Sequence, residues 1–290
     1  MATNAIKNRY DFIFLFDVKD GNPNGDPDQA NLPRTDAENQ EGLVTDVCIK
    51  RKVRNYVGLK KAILTDEGKT IAEKGFDIFI QDGAVLNRAI DKAKKEKGEE
   101  AKKSLCDDYY DIRTFGAVLS TGEKDESGKK GVGTVRGPVQ FTFARSEDRI
   151  YQAEHSVTRC AVTKEEDLKK ERTFGRKSTV PYGLYRMHGF VSAVDAQKSG
   201  FSEEDLKLLW EALLNAFEHD RAAARGEMNP RALIVFKHNN HLGSARSGEL
   251  FDMIKISKNT DLPRSWKDYS INVPKQEEMP IGVEMILLLV

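Results

Sequence analysis

An α+β fold, with two helices packed on one face of an antiparallel sheet, is predicted by three observations. Apolar runs of strand length flank two well-capped amphipathic stretches, and a long polar excursion separates those stretches. The C-terminal apolar run, Ile281 to Val290, is far too short to span a bilayer. The chain has 290 residues, 39% hydrophobic and 32% charged, with a formal net charge of +0. That length suffices for a core without disulfide or metal staples, and the composition excludes a disordered polyelectrolyte. Neutral net charge names no partner, so the local placement of Lys and Arg carries the information.

Each element follows from its residues. Tyr10 to Val18, YDFIFLFDV, is aromatic and aliphatic, of strand length and bounded by charge, and reads as a buried strand. Gly21 to Asp36, GNPNGDPDQANLPRTD, follows as a loop whose side chains want water, a metal or a ligand, so it must touch something. Thr45 or Asp46 caps a helix in which Ile49, Val53, Tyr56 and Val57 recur at helical spacing. Phe76 to Gln81, FDIFIQ, alternates after Gly75 and predicts a second strand. Ala89 to Lys103 predicts a solvated helix, and Ser120 to Gly133 a flexible loop.

Thr134 to Ala144 and Ile150 to Thr163 alternate like two paired strands, and Tyr182 to Val194 predicts another after the charged excursion. Ser202, with an acid three positions on and apolar flanks, starts a second helix that Leu206, Leu209, Trp210, Leu213 and Phe217 continue. Ala232 to Phe236 and Leu250 to Ile256 supply the last strands. Strand, helix, strand, insertion, strand, helix, strand is the order of a ferredoxin-like, RNA-recognition-motif-like (RRM-like) core.

Several chemistries are excluded or weak. Cys48, Cys106 and Cys160 stand far apart without CxxC spacing, so neither a disulfide framework nor a zinc site is suggested, and a reducing cytoplasm is the expected home. GVGTVRG, Gly131 to Gly137, lacks the third glycine of a dinucleotide fingerprint and precedes a strand. His238 and His241 lack an acid at helical spacing, so no metal ligand is assigned, and no cofactor is expected. Asp26, Asp28 and Asp36 could hold magnesium or act on a ribose hydroxyl, but Asp beside Pro and Gly is ordinary turn chemistry.

Cations are the stronger signal. On the first helix Lys50, Arg51 and Arg54 fall in one arc, and Asp46 is the only acid between Val44 and Lys61, which favours a polyanion partner. The plain alternative is a solvated helix face. Lys169, Lys170, Arg172, Arg176 and Lys177 surround Phe174 in the excursion, a pattern suited to phosphates and a stacked base. Glu165, Glu166, Asp167 and Glu171 partly neutralise it.

GNPNGDPDQANLPRTD, followed by GLVTDVCIKRKVRNYV (Gly42 to Val57), DIRTFGAVL (Asp111 to Leu119), GTVRGPVQF ending at Phe141, and VPYGLY (Val180 to Tyr185), resembles the RNA-binding backbone subunits of type I CRISPR surveillance complexes over nearly the whole chain. The type I-C Cascade pattern is the nearest. The resemblance implies one domain over residues 1–290: an RRM-like palm, finger insertions near 84–150, and a thumb hairpin near 159–182. It also implies a non-catalytic subunit that polymerises along a guide RNA (crRNA) and presents bases to a target DNA strand in antiviral defence. Its partners would be that RNA, copies of itself and other Cascade subunits, with no membrane. Asn22, Asn24, Lys50, Arg51, Arg54, Arg136, Phe174, Arg176 and Lys177 are the expected RNA contacts. The alternative is a metal-dependent endoribonuclease using an acid of the 21–36 loop, with Asp26 the candidate.

Overall fold

The computed structural model describes residues 4–120, 131–162, 164–167 and 174–290. In chain order its principal elements are β1 (Tyr10–Gly21), β2 (Glu41–Val44), α1 (Asp46–Lys60), α2 (Leu86–Lys97), α3 (Ala101–Asp108) and α4 (Tyr110–Phe115). There follow β3 (Val139–Phe141), β4 (Ala144–Arg149), β5 (Ala153–Thr158), β6 (Phe174–Val191), α5 (Glu203–Leu214), β7 (Glu227–His238), α6 (Ser247–Met253) and β8 (Val283–Leu289). The main sheet runs β8-β7-β1-β6-β4-β2, with β3 and β5 also paired to β6, and its pairings are antiparallel. Taking β1, β4, β6 and β7 as core strands in chain order, their spatial order is fourth, first, third, second. With α1 after the first and α5 after the third, this is the β-α-β-β-α-β ferredoxin-like plan.

The sequence of β1 explains why both faces of the sheet are covered. Phe12, Phe14 and Phe16 point to a core shared with Ile49, Val53 and Val57 of α1 and Leu206, Leu209 and Leu213 of α5. Ile13 and Leu15 point the other way, against Ala232, Ile234 and Phe236 of β7 and Leu250 and Phe251 of α6. A strand buried on both sides reads as one apolar run without alternation. Gly189 of β6 makes room for the Phe12 ring, since a Cβ there would stand 2.0 Å from it. The start of α5 carries the expected capping box between Ser202 and Asp205. No helix of the described residues is long and apolar enough to cross a membrane.

Four expectations need correction. Phe76–Gln81 is no strand: it makes a single bridge, Asp77 to Tyr109, and the N–H groups of Phe79 and Ile80 donate to the Asp111 carboxylate instead of to a neighbouring strand. The second core strand is β4. Thr134–Ala144 and Ile150–Thr163 do not pair with each other, because the 18-residue β6 is long enough to take β3, β4 and β5 along its length. Leu250–Ile256 is mostly helix, with Leu250, Phe251 and Ile254 buried on one side of α6 and its end. The Lys-rich stretch near 89–103 is not merely solvated, since Ile90, Ala93 and Ala101 join Phe79, Leu105 and Leu119 in a satellite core. Most of the expected loop at 120–133, and Lys169, Lys170 and Arg172, lie outside the described residues.

Candidate nucleic-acid interface

The loop after β1 is tied down at both of its sides. Asn24 Oδ1 accepts the backbone N–H and the hydroxyl of Thr45, each at 2.9 Å, while Thr45 caps α1 by accepting from Cys48 N–H at 3.4 Å. Asn22 donates its backbone N–H to Ala224 O and its side-chain amide to Asn31 O, both at 2.7 Å. Asp26 Oδ1 accepts from Asp28 N–H at 3.1 Å, and its other oxygen lies 3.3 Å from Arg34. The carboxylate is thus engaged in a local turn.

That loop, α1, the segment 70–82 and the connection 215–225 enclose a cleft of about 1680 Å³. Its floor is the exposed stripe of α1 at four-residue spacing: Val47, Arg51, Asn55 and Leu59. Asn22, Asn24, Lys50, Arg51 and Arg54 all line the cleft, so the fold gathers five of the nine expected contacts in one place. Because Asn24 uses its carbonyl on Thr45, its NH₂ is fixed as a donor. Arg51 is exposed and has no ion-pair partner among the described residues.

Lys50, Arg51 and Arg54 do not share one free face, contrary to expectation. Arg54 is only 9% exposed and donates from Nε to Asp111 at 2.8 Å, beside the Phe115 ring. Lys50 pairs with Asp46 at 2.8 Å and also lies near Phe115. Both flank the buried stripe of α1, and α4 covers that flank. Lys52 is buried further, paired to Asp220, which also holds Arg225. Burial pushes the Lys52 ammonium below its usual value, against the raising influence of Cys48 and Asp220. Burial also acts to raise the Asp220 carboxyl, but hydrogen bonds from Arg225 and Lys52 overcome it and hold the group low. The Cys48 thiol is raised by burial.

The other expected contacts are elsewhere. Arg136 is 83% exposed, 3.4 Å from Asp195. Phe174, Arg176 and Lys177 lie on the two-stranded ribbon where β6 pairs with β5, opposite Thr158, Ser156 and His155 respectively. Alternation puts Phe174 and Arg176 on one face of the ribbon and Lys177 with His155 on the other. Phe174 is 75% exposed. His238 is no ligand candidate: it is buried, with one ring nitrogen on Asp11 and the other accepting from Ser244 N–H.

Arg34, Asn55, His219 and Arg225 also line the cleft and were missed. Asn55 was findable, since it stands one turn after Arg51 opposite the apolar stripe. Arg34 was findable too, since it lies in the 21–36 loop, whereas His219 and Arg225 come from a distant segment and left no local signal.

Residues 8–274 match the family model described as CRISPR-associated protein Cas7. A CRISPR-associated protein Cas7 of Haloferax volcanii is 24% identical over 298 residues, covering 93% of this chain and 82% of that protein. Among solved structures, a chain of a CRISPR RNA-guided surveillance complex, pre-nicking, superimposes with a TM-score of 0.48 at 15% identity, over 79% of this chain and 78% of that one. A chain of the type III-B Cmr-beta complex bound to cognate target RNA gives 0.42 at 12% identity, over 79% and 61%. With the family match spanning nearly the whole sheet-and-helix core described above, the chain belongs to the CRISPR-associated protein Cas7 family.

Proposed function

We propose that the chain is a non-catalytic backbone subunit that binds guide RNA along the α1 cleft and assembles side by side on it, within a type I-C surveillance complex. One observation supports this most: a large cleft whose exposed floor combines aliphatic side chains with an arginine that has no ion-pair partner among the described residues, beside the fixed amide donor of Asn24. Phosphates need donors and cations; ribose and base faces need apolar surface. In this reading the target DNA strand pairs with the bound guide, other Cascade subunits close the ends, and the assembly works in the cytoplasm. Of the stretch near 84–150, the part before β3 serves as fingers, since β3 and β4 belong to the main sheet, and the hairpin near 159–182 serves as the thumb. Arg136, Phe174, Arg176 and Lys177 then contact RNA beyond the cleft.

The nuclease alternative is disfavoured by the turn and ion-pair engagement of Asp26. Among the described residues no cluster of three His, Cys, Asp or Glu side chains is arranged for a metal ion. The test is to purify the chain from cells expressing a guide array and to size the bound nucleic acid. RNA of defined length, released intact after incubation with magnesium and a complementary target RNA, is the expected result. Nucleic-acid-free protein, or regular cutting of the target, overturns the reading.

A further inference from the structure

The wall of the cleft at 75–81 faces α1 without belonging to any sheet. Ile80 and Gln81 line the cleft from that wall, and Ile80 is 47% exposed. A backbone bridge between Asp77 and Tyr109 holds the middle of the segment, and the six-residue helix α4 holds its two ends through two side chains spaced two apart. Asp111, 1% exposed, accepts the N–H of Phe79 on one oxygen at 2.7 Å and the N–H of Ile80 on the other at 3.1 Å. Arg113 donates to the carbonyl of Gly75 at the other end of the segment. Each of these side chains is anchored to the palm in turn. Arg54 of α1 donates to Asp111 at 2.8 Å, and Arg113 makes a two-pronged contact with Asp205 at the start of α5, at 2.7 and 3.0 Å. The DIRTF stretch is therefore a staple: it fixes the wall at both ends and references it to both core helices.

We infer that Asp111 and Arg113 are positioning residues of the RNA cleft, setting the distance between the wall at 75–81 and the Arg51 stripe of α1. Arg54 belongs to the same staple and does not touch phosphate. The inference rests on the RNA reading above. Its physical basis is that one buried carboxylate accepts two backbone N–H groups and one guanidinium, so its loss leaves buried donors without their acceptor and loosens the Phe79–Ile80 end of the wall.

The experiment measures binding of a fluorescent single-stranded RNA to the purified chain as a function of salt, for Asp111→Asn, Arg54→Ala and their combination, with Arg51→Ala for comparison. Asp111→Asn and Arg54→Ala should each weaken binding by about tenfold, and the pair together by little more, because both break one staple. Neither should change the salt slope, since neither removes a phosphate contact, whereas Arg51→Ala should lower it by about 0.7. Titration of the active fraction separates weakened binding from partial misfolding. Amide exchange of Asp111→Asn should show protection lost at Phe79 or Ile80, since asparagine keeps one acceptor oxygen for two N–H groups, and kept in β1. Native affinity in Asp111→Asn, or a salt slope lowered in Arg54→Ala as in Arg51→Ala, overturns the positioning role while leaving the RNA reading intact. Failure of the unsubstituted chain to bind RNA removes both.

Discussion

The cations of α1 and those of the ribbon stand in opposite situations. Along α1 and at its end, Lys50, Lys52, Arg54, Lys60 and Lys61 each meet a carboxylate, from Asp46, Asp220, Asp111, Glu211, and Glu73 with Glu204. On the ribbon Arg176 approaches only Glu154 among the described residues, at 3.9 Å, and remains 81% exposed. The helix that looks uncompensated in sequence is compensated in space, by acids 57 and 168 residues away for Arg54 and Lys52. One cation of the helix, Arg51, is exposed and has no ion-pair partner among the described residues. A run of basic residues thus divides into paired and unpaired cations, and neighbours in sequence do not tell them apart. Burial does.

The largest test of that contrast is stability. Asp220→Ala strands the buried Lys52 ammonium beside Arg225, and removal of one partner of a buried pair costs about 3–5 kcal/mol. Arg176→Ala on the exposed ribbon should stay within about 0.5 kcal/mol of the parent. Urea unfolding of the two variants checks both. Equal losses would erase the distinction between the two regions.

A smaller effect, seen in binding and not in stability, belongs to Arg51. Arg51→Ala should leave the unfolding midpoint unchanged and lower the salt slope of RNA affinity by about 0.7, the signature of one lost single-strand phosphate contact. An unaltered slope in the folded variant would mean that the exposed stripe of α1 does not meet the RNA backbone.

The smallest change is expected at Asp26. Asparagine keeps an oxygen that can accept from Asp28 N–H, and the partly exposed contact with Arg34 is worth at most about 1 kcal/mol. Asp26→Asn should therefore retain stability, RNA binding and assembly. Loss of a metal-dependent cutting activity in this variant would reveal a catalytic acid instead.

What the sequence discloses follows the range of the forces involved. Thr45 capping α1, the box at Ser202 and Asp205, and the buried run of β1 are local or periodic features, and the fold bears them out. Phe76–Gln81 misleads because its alternation arises from splitting between two cores, with Phe76 and Ile78 in one and Phe79 in the other. Leu250–Ile256 misleads because a short buried helix and a short strand look alike over so few residues. The cleft was legible in part. Asn22, Asn24 and Arg51 sit where the loop and helix placed them, but the acids that neutralise Lys52 and Arg54, and the Arg225 wall, arrive through tertiary contacts.

The central claim is that the α1 cleft is the RNA path, and photo-crosslinking tests it most directly. With 4-thiouridine-substituted guide RNA bound to the intact chain, mass spectrometry of cross-linked peptides should find adducts in the loop at 22–34, on α1 around Arg51 and Asn55, and in the wall at 75–81. Adducts concentrated instead around the smaller hollow bordered by Glu147, Tyr182 and Tyr269, with none on α1, would contradict it.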